Sequence, residues 1–310
     1  MRVAEEVRVF APASVSNLGS GFDILGLAVR GPGDTLVARR VPGRGVRVVS
    51  VEGDGGVLPR DGSNTAAIAA AATLRRAGVG IGVELELVKG MPVGTGLGSS
   101  AASAAAAAFA VNLLVGSPLR KEELVEPCVE AEAAVSGRHA DNVAPALLGG
   151  LILVRSLDPV DLLRLPVPPG LMVVVVTPDF SLSTKLAREV LPAMVPLGAM
   201  VRNSANLGTL VAACYSGDLT LFARGVADEV VTPARAPLIP GCEAVIRAAV
   251  DAGALVSSIS GAGPSVFALC HSDARAARVA RAMEDAFRDA GGLASTHIIS
   301  PADCPGARRV

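Results

Sequence analysis

Hydrophobic and polar residues alternate along several short stretches, which is the pattern of strands with one buried face. Residues 83–88 alternate apolar side chains with glutamates, and residues 7–11 show the same period of two. Two further alternating runs, 35–38 and 46–49, lie on either side of a Pro-Gly-Arg-Gly segment at 42–45. The pattern therefore predicts a hairpin at 42–45 and a further strand at 83–88.

Helical patterns lie between these strands. Residues 65–76 follow Asn64, a good N-cap residue, and end at a glycine, so they predict a capped helix. Residues 101–115 are almost all apolar, mostly alanine, and predict a buried helix. A second acid-rich helix is expected over 119–135. Its Glu132 lies near the C-terminal end, where an acid opposes the helix macrodipole, and that placement hints at a function.

A proline-rich connector at 165–170 predicts a boundary between a domain over 1–166 and a domain over 167–310. The second domain reads as strand, three helices, two strands, helix and strand, the α+β pattern of an antiparallel sheet with helices on one face. The expected bounds are strands at 171–176, 255–259, 266–269 and 295–299, and helices at 199–215, 218–228, 241–251 and 273–290.

Composition narrows the partners and the compartment. The chain has 310 residues, 18% charged and 51% apolar, with a net charge of −1, which argues against nucleic acid or an anionic membrane as the main partner. Five dispersed cysteines without a C-x-x-C pair predict reduced thiols in the cytoplasm. The N-terminus lacks the apolar core of a signal peptide. The uncharged stretch 90–118 is rich in Gly, Ser and Ala, so we expect a buried helix and not a membrane span.

The stretch Pro92–Ser103 joins the predicted strand 83–88 to the alanine-rich helix. Glycines at alternate positions expose backbone N–H groups, and a helix N-terminus attracts anions, so the stretch indicates a phosphate site. A plain glycine turn with Ser99 or Ser100 as N-cap is the alternative. Neither the lysine of a Walker loop nor the third glycine of a dinucleotide fingerprint is present, so a phosphate's charge must be met elsewhere.

Two further loops are dense in polar residues. The first, residues 12–23, includes Asn17 and Asp23, for which ordinary turn chemistry is the alternative to a site. The second, residues 136–145, contains a histidine, an aspartate and an asparagine within four residues. His139 alone could be a structural histidine, but the cluster favours a site.

Three motifs in order resemble the GHMP family of small-molecule kinases. They are the loop 12–23, the loop Pro92–Ala102 and a second glycine loop, Ser260-Gly261-Ala262-Gly263-Pro264-Ser265. Within that family, residues 17–27, 138–150 and 238–241 look like the homoserine kinases. The resemblance implies an N-terminal ATP-binding domain of the ribosomal-protein-S5-like α/β type and a ferredoxin-like α+β C-terminal domain. It also implies Mg²⁺, ATP and L-homoserine as ligands, with O-phospho-L-homoserine, a threonine precursor, as the product. We also expect an isologous homodimer, on base rates.

The resemblance further implies roles for individual residues. Glu132, with the hydroxyl of Ser100 or of Ser99, would hold magnesium, which prefers oxygen ligands. Asp23 would take the substrate's ammonium group, while Arg188 and Arg235 would clamp its carboxylate beside Thr184. Asn17, His139 and Asn142 would surround the reacting hydroxyl. ATP would contact Asn64 and the two glycine loops, at Pro92, Gly94, Gly96, Leu97, Gly98, Ser99, Ser100, Ala101, Ser103, Gly261 and Gly263.

Two departures from the family pattern bear on mechanism. Arg138 directly follows Gly137, one residue fewer than is usual, which affects the register between Glu132 and His139. Asn142 stands where mevalonate kinase is thought to carry an aspartate base, so we expect the hydroxyl to attack without a protein base.

Two alternatives remain open from the sequence. A GHMP kinase of another small alcohol would not need Asp23 together with two arginines. A binding module without catalysis would be expected to have lost Glu132 or the loop serines, which are present.

Overall fold

The structure is a computed structural model, and it describes residues 4–310. Residues 1–3, which belong to the N-terminus judged above to lack a signal peptide, lie outside the described residues. The first part of the chain contains β1 (Glu6–Ser16), β2 (Leu25–Val41), β3 (Gly45–Glu52), α1 (Thr65–Ala77), β4 (Gly82–Val88), α2 (Ser99–Leu114), a 3-10 turn (Lys121–Leu124), α3 (Val125–Ala133), α4 (Val143–Leu148), β5 (Leu151–Leu157) and β6 (Val160–Leu165).

The second part contains β7 (Met172–Pro178), α5 (Thr184–Glu189), α6 (Leu197–Ser216), α7 (Leu219–Gly225), α8 (Val231–Arg235), a 3-10 turn (Ala236–Leu238), α9 (Cys242–Asp251), β8 (Val256–Ile259), β9 (Val266–Cys270), α10 (Asp273–Gly291), β10 (Ser295–Pro301) and β11 (Arg308–Arg309). The α+β class and the order of elements after residue 170 agree with the sequence prediction.

The first sheet has the strand order β11-β1-β2-β4-β3, and β5 and β6 continue it from β2. The predicted hairpin at 42–45 is wrong, because β4 lies between β2 and β3 and pairs in parallel with β3. Charge explains this order. Glu86 and Glu84 of β4 pair with Arg39 of β2 and Arg47 of β3, whereas a β2–β3 hairpin would bring basic strands together.

Helix α2 is the buried centre of the first part. It packs against α1 and against strands β1 and β2, and nearly all of its residues are buried. Alanine dominates α2 and the facing side of α1, and such small side chains let helix and sheet approach closely. Asn64 caps α1, with its Oδ1 accepting a hydrogen bond of 2.9 Å from the Ala66 N–H, as predicted.

The second sheet, β10-β7-β9-β8, is antiparallel and buried on both faces. Val173 and Val175 pack into the core shared with the first part, whereas Val174 and Val176 pack into a smaller core beneath α9 and α10. Because successive strand residues point to opposite faces, one short apolar strand serves both cores.

The division at residue 166 stays a prediction. The chain after β10 returns to the first sheet, where β11 pairs with β1 and the Lys121 ammonium donates to the Ala307 carbonyl at 2.6 Å. Within residues 4–310 the five cysteines are buried and form no disulfide. None of the helices described there is both long and apolar enough to cross a membrane.

Candidate active site

A cavity of about 600 Å³ lies where the loops of the two parts meet. It brings together most of the residues singled out from the sequence. Those lining it are Asn17, Asp23, Asn64, Gly94, Gly96, Gly98, Ser99, Ser100, Ser103, Glu132, His139, Asn142, Thr184, Arg188, Arg235 and Gly261. Four predicted ATP contacts, Pro92, Leu97, Ala101 and Gly263, lie beside the cavity and not in its lining.

The glycine loop is fastened to the scaffold through its carbonyl groups. The carbonyls of Gly94, Thr95, Gly96 and Leu97 accept hydrogen bonds from Leu182 N–H, Ser265 N–H, Ser260 Oγ and Ser14 N–H, respectively. With its carbonyls turned to both parts of the chain, the loop presents its N–H side to the cavity. The N-terminus of the sixteen-residue α2 adds further N–H donors there.

Gly98 shows why this loop needs glycine. Its φ of 68° is left-handed, and a Cβ there would lie 2.3 Å from Ser14 Oγ and 2.9 Å from Asn142 Oδ1. Any side chain at residue 98 would therefore both strain the backbone and displace Asn142.

Two buried oxygens on this cavity have no hydrogen-bond partner in the described chain, Ser99 Oγ and Glu132 Oε1. Glu132 is the penultimate residue of α3, and its other oxygen accepts a hydrogen bond from Ser136 Oγ at 2.8 Å. An unpaired buried carboxylate oxygen is costly unless a ligand completes it. Residues 4–310 hold no cluster of three or more His, Cys, Asp or Glu that could bind a metal. A site with one carboxylate and one hydroxyl fits Mg²⁺, which usually takes its other ligands from water and phosphate.

Asn142 is held in one orientation by two serines of β1. Its Oδ1 accepts a hydrogen bond from Ser14 Oγ at 2.9 Å, and its Nδ2 donates to Ser16 Oγ at 3.0 Å. The two serines alternate along β1, so both point to the same face. Sequence reasoning did not assign them a role, although their spacing at the end of a strand was the available signal.

The loop after β1 is strained at the residues predicted to bind substrate. Asn17, Leu18 and Asp23 have left-handed φ values of 71°, 46° and 59°. Asn17 stabilises the loop, because its Nδ2 donates to the Gly261 carbonyl at 2.9 Å and its Oδ1 accepts from the Asp23 N–H at 3.1 Å. Strain of this kind in non-glycine residues is concentrated at functional sites. Ordinary turn chemistry therefore describes part of this loop, but not the whole of it.

Asp23 and Arg188 form a bidentate ion pair across the cavity, with distances of 3.1 and 2.7 Å. Arg235 is buried and donates only to carbonyls, those of Ala187 at 2.9 Å and Gly261 at 2.8 Å. The Phe22 ring lies close to both guanidinium groups, 5.5 Å from that of Arg188 and 5.2 Å from that of Arg235. Burial lowers the pKa of Arg235 to about 10, and the neighbouring Arg188 adds to that shift. Arg235 is therefore still a cation at neutral pH.

His139 and Glu132 both line the cavity, although the connection between them is one residue shorter than is usual in the family. The short turn is closed by the Glu132 carbonyl, which accepts hydrogen bonds from the N–H groups of Ser136 and Gly137. The Nε2 of His139 lies 2.9 Å from the Ser136 carbonyl. Arg138 points outward instead and pairs with Glu126 at 3.1 Å.

Two charged residues in the lining had no role assigned from the sequence, Lys89 and Asp141. The Lys89 ammonium contacts Asp34, the Ser99 carbonyl at 2.8 Å and Ser103 Oγ at 2.9 Å. Lysine is rare in this chain, and one directly before the glycine loop was a signal that could have been used. Asp141, beside Asn142, was visible only as one member of a polar cluster.

Comparison with known proteins agrees with this geometry. The family model described as GHMP kinases N terminal domain matches residues 64–150, and the one described as GHMP kinases C terminal matches 210–289. A homoserine kinase of Arabidopsis thaliana is 45% identical over 98% of this chain and 84% of its own length. Another, from Chlorobaculum tepidum, is 44% identical over 96% of both chains.

Solved structures point the same way. The crystal structure of homoserine kinase from Cytophaga hutchinsonii matches with a TM-score of 0.96 and 43% identity, covering 100% of this chain and 99% of that one. A mevalonate kinase of L. major in complex with R-mevalonate shares the fold at 16% identity, with a TM-score of 0.73 and coverage of 97% and 99%. The chain belongs to the homoserine kinases, within the GHMP kinase family.

Proposed function

We propose that this chain transfers the γ-phosphoryl group of ATP to the side-chain hydroxyl of L-homoserine, giving ADP and O-phospho-L-homoserine for threonine synthesis. One observation carries the proposal. A single cavity is lined both by a glycine loop at a helix N-terminus and by acidic and basic side chains that suit an amino acid. Neither feature alone would select a kinase of a zwitterionic alcohol.

The nucleotide end of the cavity is assigned to the loop Gly94–Ser103, Gly261 and Asn64. The N–H groups of the loop and of the first turn of α2 would bind the phosphates. Asn64 uses its own side chain to cap α1 and to donate to the Pro59 carbonyl at 2.8 Å, so it would position the wall near the base. Pro92, Leu97, Ala101 and Gly263 would support the loop from behind.

The metal is assigned to Glu132 with the hydroxyl of Ser100 or Ser99. The unpaired oxygens of Ser99 and Glu132 support this assignment, and Ser100 lines the same cavity. Bound there, Mg²⁺ would neutralise charge on the transferred phosphoryl group.

The acceptor end is assigned to Asp23, Arg188, Arg235 and Thr184, with Asn17, His139 and Asn142 around the reacting hydroxyl. The hydroxyl oxygen attacks the γ-phosphorus, the bond to the β–γ bridging oxygen breaks, and ADP leaves. The proton passes from the hydroxyl to an oxygen of the phosphoryl group that it receives. Asn142 cannot accept a proton, and the two serines fix it as a positioning group for the hydroxyl.

An ADP-release assay with a panel of alcohols tests the activity. We expect turnover with L-homoserine and little with mevalonate or galactose, because these carry no ammonium group for the acidic side chains. Turnover of mevalonate without turnover of L-homoserine would refute the proposal.

Glu132→Gln tests the metal assignment while preserving the shape of the side chain. We expect kcat to fall by at least about 100-fold and the Mg²⁺ concentration for half-maximal rate to rise, because a neutral amide binds the cation weakly. Glu130→Gln, on the exposed surface of the same helix, is the matched control and should leave both values unchanged. Equal Mg²⁺ dependence in the Glu132 variant and the wild type would contradict the assignment.

Asn142→Ala tests the mechanism without a protein base. We expect about a 10-fold loss of kcat with KM for ATP unchanged, because only positioning is lost. Complete loss of turnover with substrate binding intact would instead indicate an essential chemical role for residue 142.

Two further assignments remain part of this proposal. A cytoplasmic location is supported by the five unpaired cysteines in the described chain. A homodimer is expected on base rates, and sedimentation equilibrium of the purified protein measures it.

A further inference from the structure

Asp141 carries a buried charge that the proposed mechanism leaves unused. Its side chain is 4% exposed and lines the cavity, yet among residues 4–310 nothing donates a hydrogen bond to its Oδ1. The nearest cation is His139, whose Nδ1 lies 3.9 Å from Oδ1, beyond hydrogen-bond distance. A buried carboxylate oxygen without a donor is costly unless a ligand supplies one.

Asp141 belongs to one electrostatic cluster with Asp23, Arg188 and Arg235. The charge of Asp141 influences the titration of both arginines, and the charge of Asp23 influences that of Asp141. Two carboxylates and two guanidinium groups sum to zero, which matches a zwitterion with no net charge. Without Asp141 the cluster would carry one surplus positive charge.

The four charges differ in what they are already bound to. Asp23 and Arg188 neutralise each other through two hydrogen bonds. Asp141 lacks a donor for Oδ1, and no carboxylate within the described residues pairs with Arg235. One open negative charge and one open positive charge therefore face the same cavity.

We propose that Asp141 binds the ammonium group of the amino-acid substrate while Arg235 takes its carboxylate, with the Asp23–Arg188 pair beside them. This assignment rests on the proposed activity and makes Asp141 a determinant of specificity for amino acids. An ammonium group supplies the donor that Oδ1 lacks and the charge that the cluster balances.

The same burial makes Asp141 sensitive to pH. Burial raises the pKa of Asp141 to about 6, His139 opposes the rise, and Asp23 adds to it. Because the folded protein holds this proton more tightly than the unfolded chain does, the free energy of unfolding falls as pH rises from about 4 to about 6. A neutral isostere should remove that cost.

Asp141→Asn, assayed with L-homoserine and with 4-hydroxybutyrate, tests the proposal. The second compound keeps the carboxylate and the hydroxyl but lacks the ammonium group. We expect kcat/KM for L-homoserine to fall about 10- to 100-fold, mainly through KM. The value for 4-hydroxybutyrate should change less than about threefold, because it makes no contact that Asp141 supplies. If the wild type does not turn it over, its inhibition constant against L-homoserine is compared instead.

Two further readouts separate binding from a structural role. KM for L-homoserine in the wild type should rise as pH falls below about 6, where Asp141 is protonated, and this rise should vanish in the variant. Tm of the variant at pH 8 should equal or exceed that of the wild type, because an unpaired buried charge is gone. Asp161→Asn, on the exposed strand β6, is the control and should change none of these values.

Each contrary result has a distinct meaning. An equal loss of kcat with both compounds would make Asp141 a base and overturn the proposal. A lower Tm with equal losses in both KM values would make it structural and overturn the proposal as well. Absence of wild-type turnover of L-homoserine would refute the proposed function itself, so the two failures are distinguishable.

Discussion

Two ion pairs line the same cavity and differ in every respect that matters for binding. In the Lys89–Asp34 pair both side chains are almost completely buried, 1% and 0% exposed. All three ammonium donors of Lys89 are used, on Asp34, Ser99 and Ser103, and Asp34 also accepts from Ser103 Oγ at 2.6 Å. In the Asp23–Arg188 pair the side chains are 34% and 33% exposed, and Arg188 Nε has no partner in the described chain.

The contrast shows that a charge in a cavity wall is not by itself a binding group. The Lys89 network is closed, because no donor of its ammonium remains for a ligand. It fastens the first turn of α2 through Ser99 and Ser103 to β2 through Asp34, and so holds the glycine loop in place. Asp23 and Arg188 can exchange partners with little cost, because water reaches both of them.

Lys89→Met breaks the closed pair and should give the largest effect. It leaves the Asp34 carboxylate buried without a cation, for which we expect a loss of about 3–5 kcal/mol in the free energy of unfolding. Urea denaturation followed by circular dichroism measures it. KM for ATP should rise as well, because the loop loses its anchor.

The double variant Lys89→Met with Asp34→Asn is the control for that experiment. Removing the second charge should recover part of the lost stability, because no unpaired carboxylate remains. A double variant less stable than Lys89→Met by the full cost of Asp34→Asn alone would show that the two residues act independently.

Arg188→Met breaks the open pair and should affect binding more than stability. We expect kcat/KM for L-homoserine to fall about 10- to 100-fold, because a charge-assisted contact is lost. The free energy of unfolding should change by less than about 1 kcal/mol, since the remaining Asp23 is partly solvated. A stability loss as large as that of Lys89→Met would remove the distinction between the two pairs.

Phe22→Leu sharpens the comparison with the smallest expected effect. The ring contacts the guanidinium groups of Arg188 and Arg235, and such contacts contribute about 0.5–1 kcal/mol at exposed sites. KM for L-homoserine should therefore rise about two- to fivefold, with KM for ATP unchanged. Steady-state kinetics with each substrate varied in turn makes the measurement, and an equal rise in both KM values would point to a general distortion.

Local patterns predicted most of the fold, because period, capping and glycine act over a few residues. The helix from Thr65 to Ala77 with its Asn64 cap and the sheet-and-helix order after residue 170 were predicted this way. The hairpin at 42–45 was predicted wrongly, since a turn signal does not show that β4 will enter between its two flanking strands. The return of β11 to β1 was missed, because two paired residues at the end of a chain carry no periodicity.

For the site, the sequence by itself determined the loop Pro92–Ser103, the acid at Glu132 and the identity of the charged residues available for a substrate. These follow from residue type and short spacing. Only the tertiary structure decided which charges are open. Lys89 is closed by Asp34, 55 residues away, and Asp23 is paired with Arg188 across 165 residues, while Asp141 Oδ1 is left without a donor in the described chain. Whether a charged group is free depends on partners that folding brings from distant segments, and no local pattern specifies them.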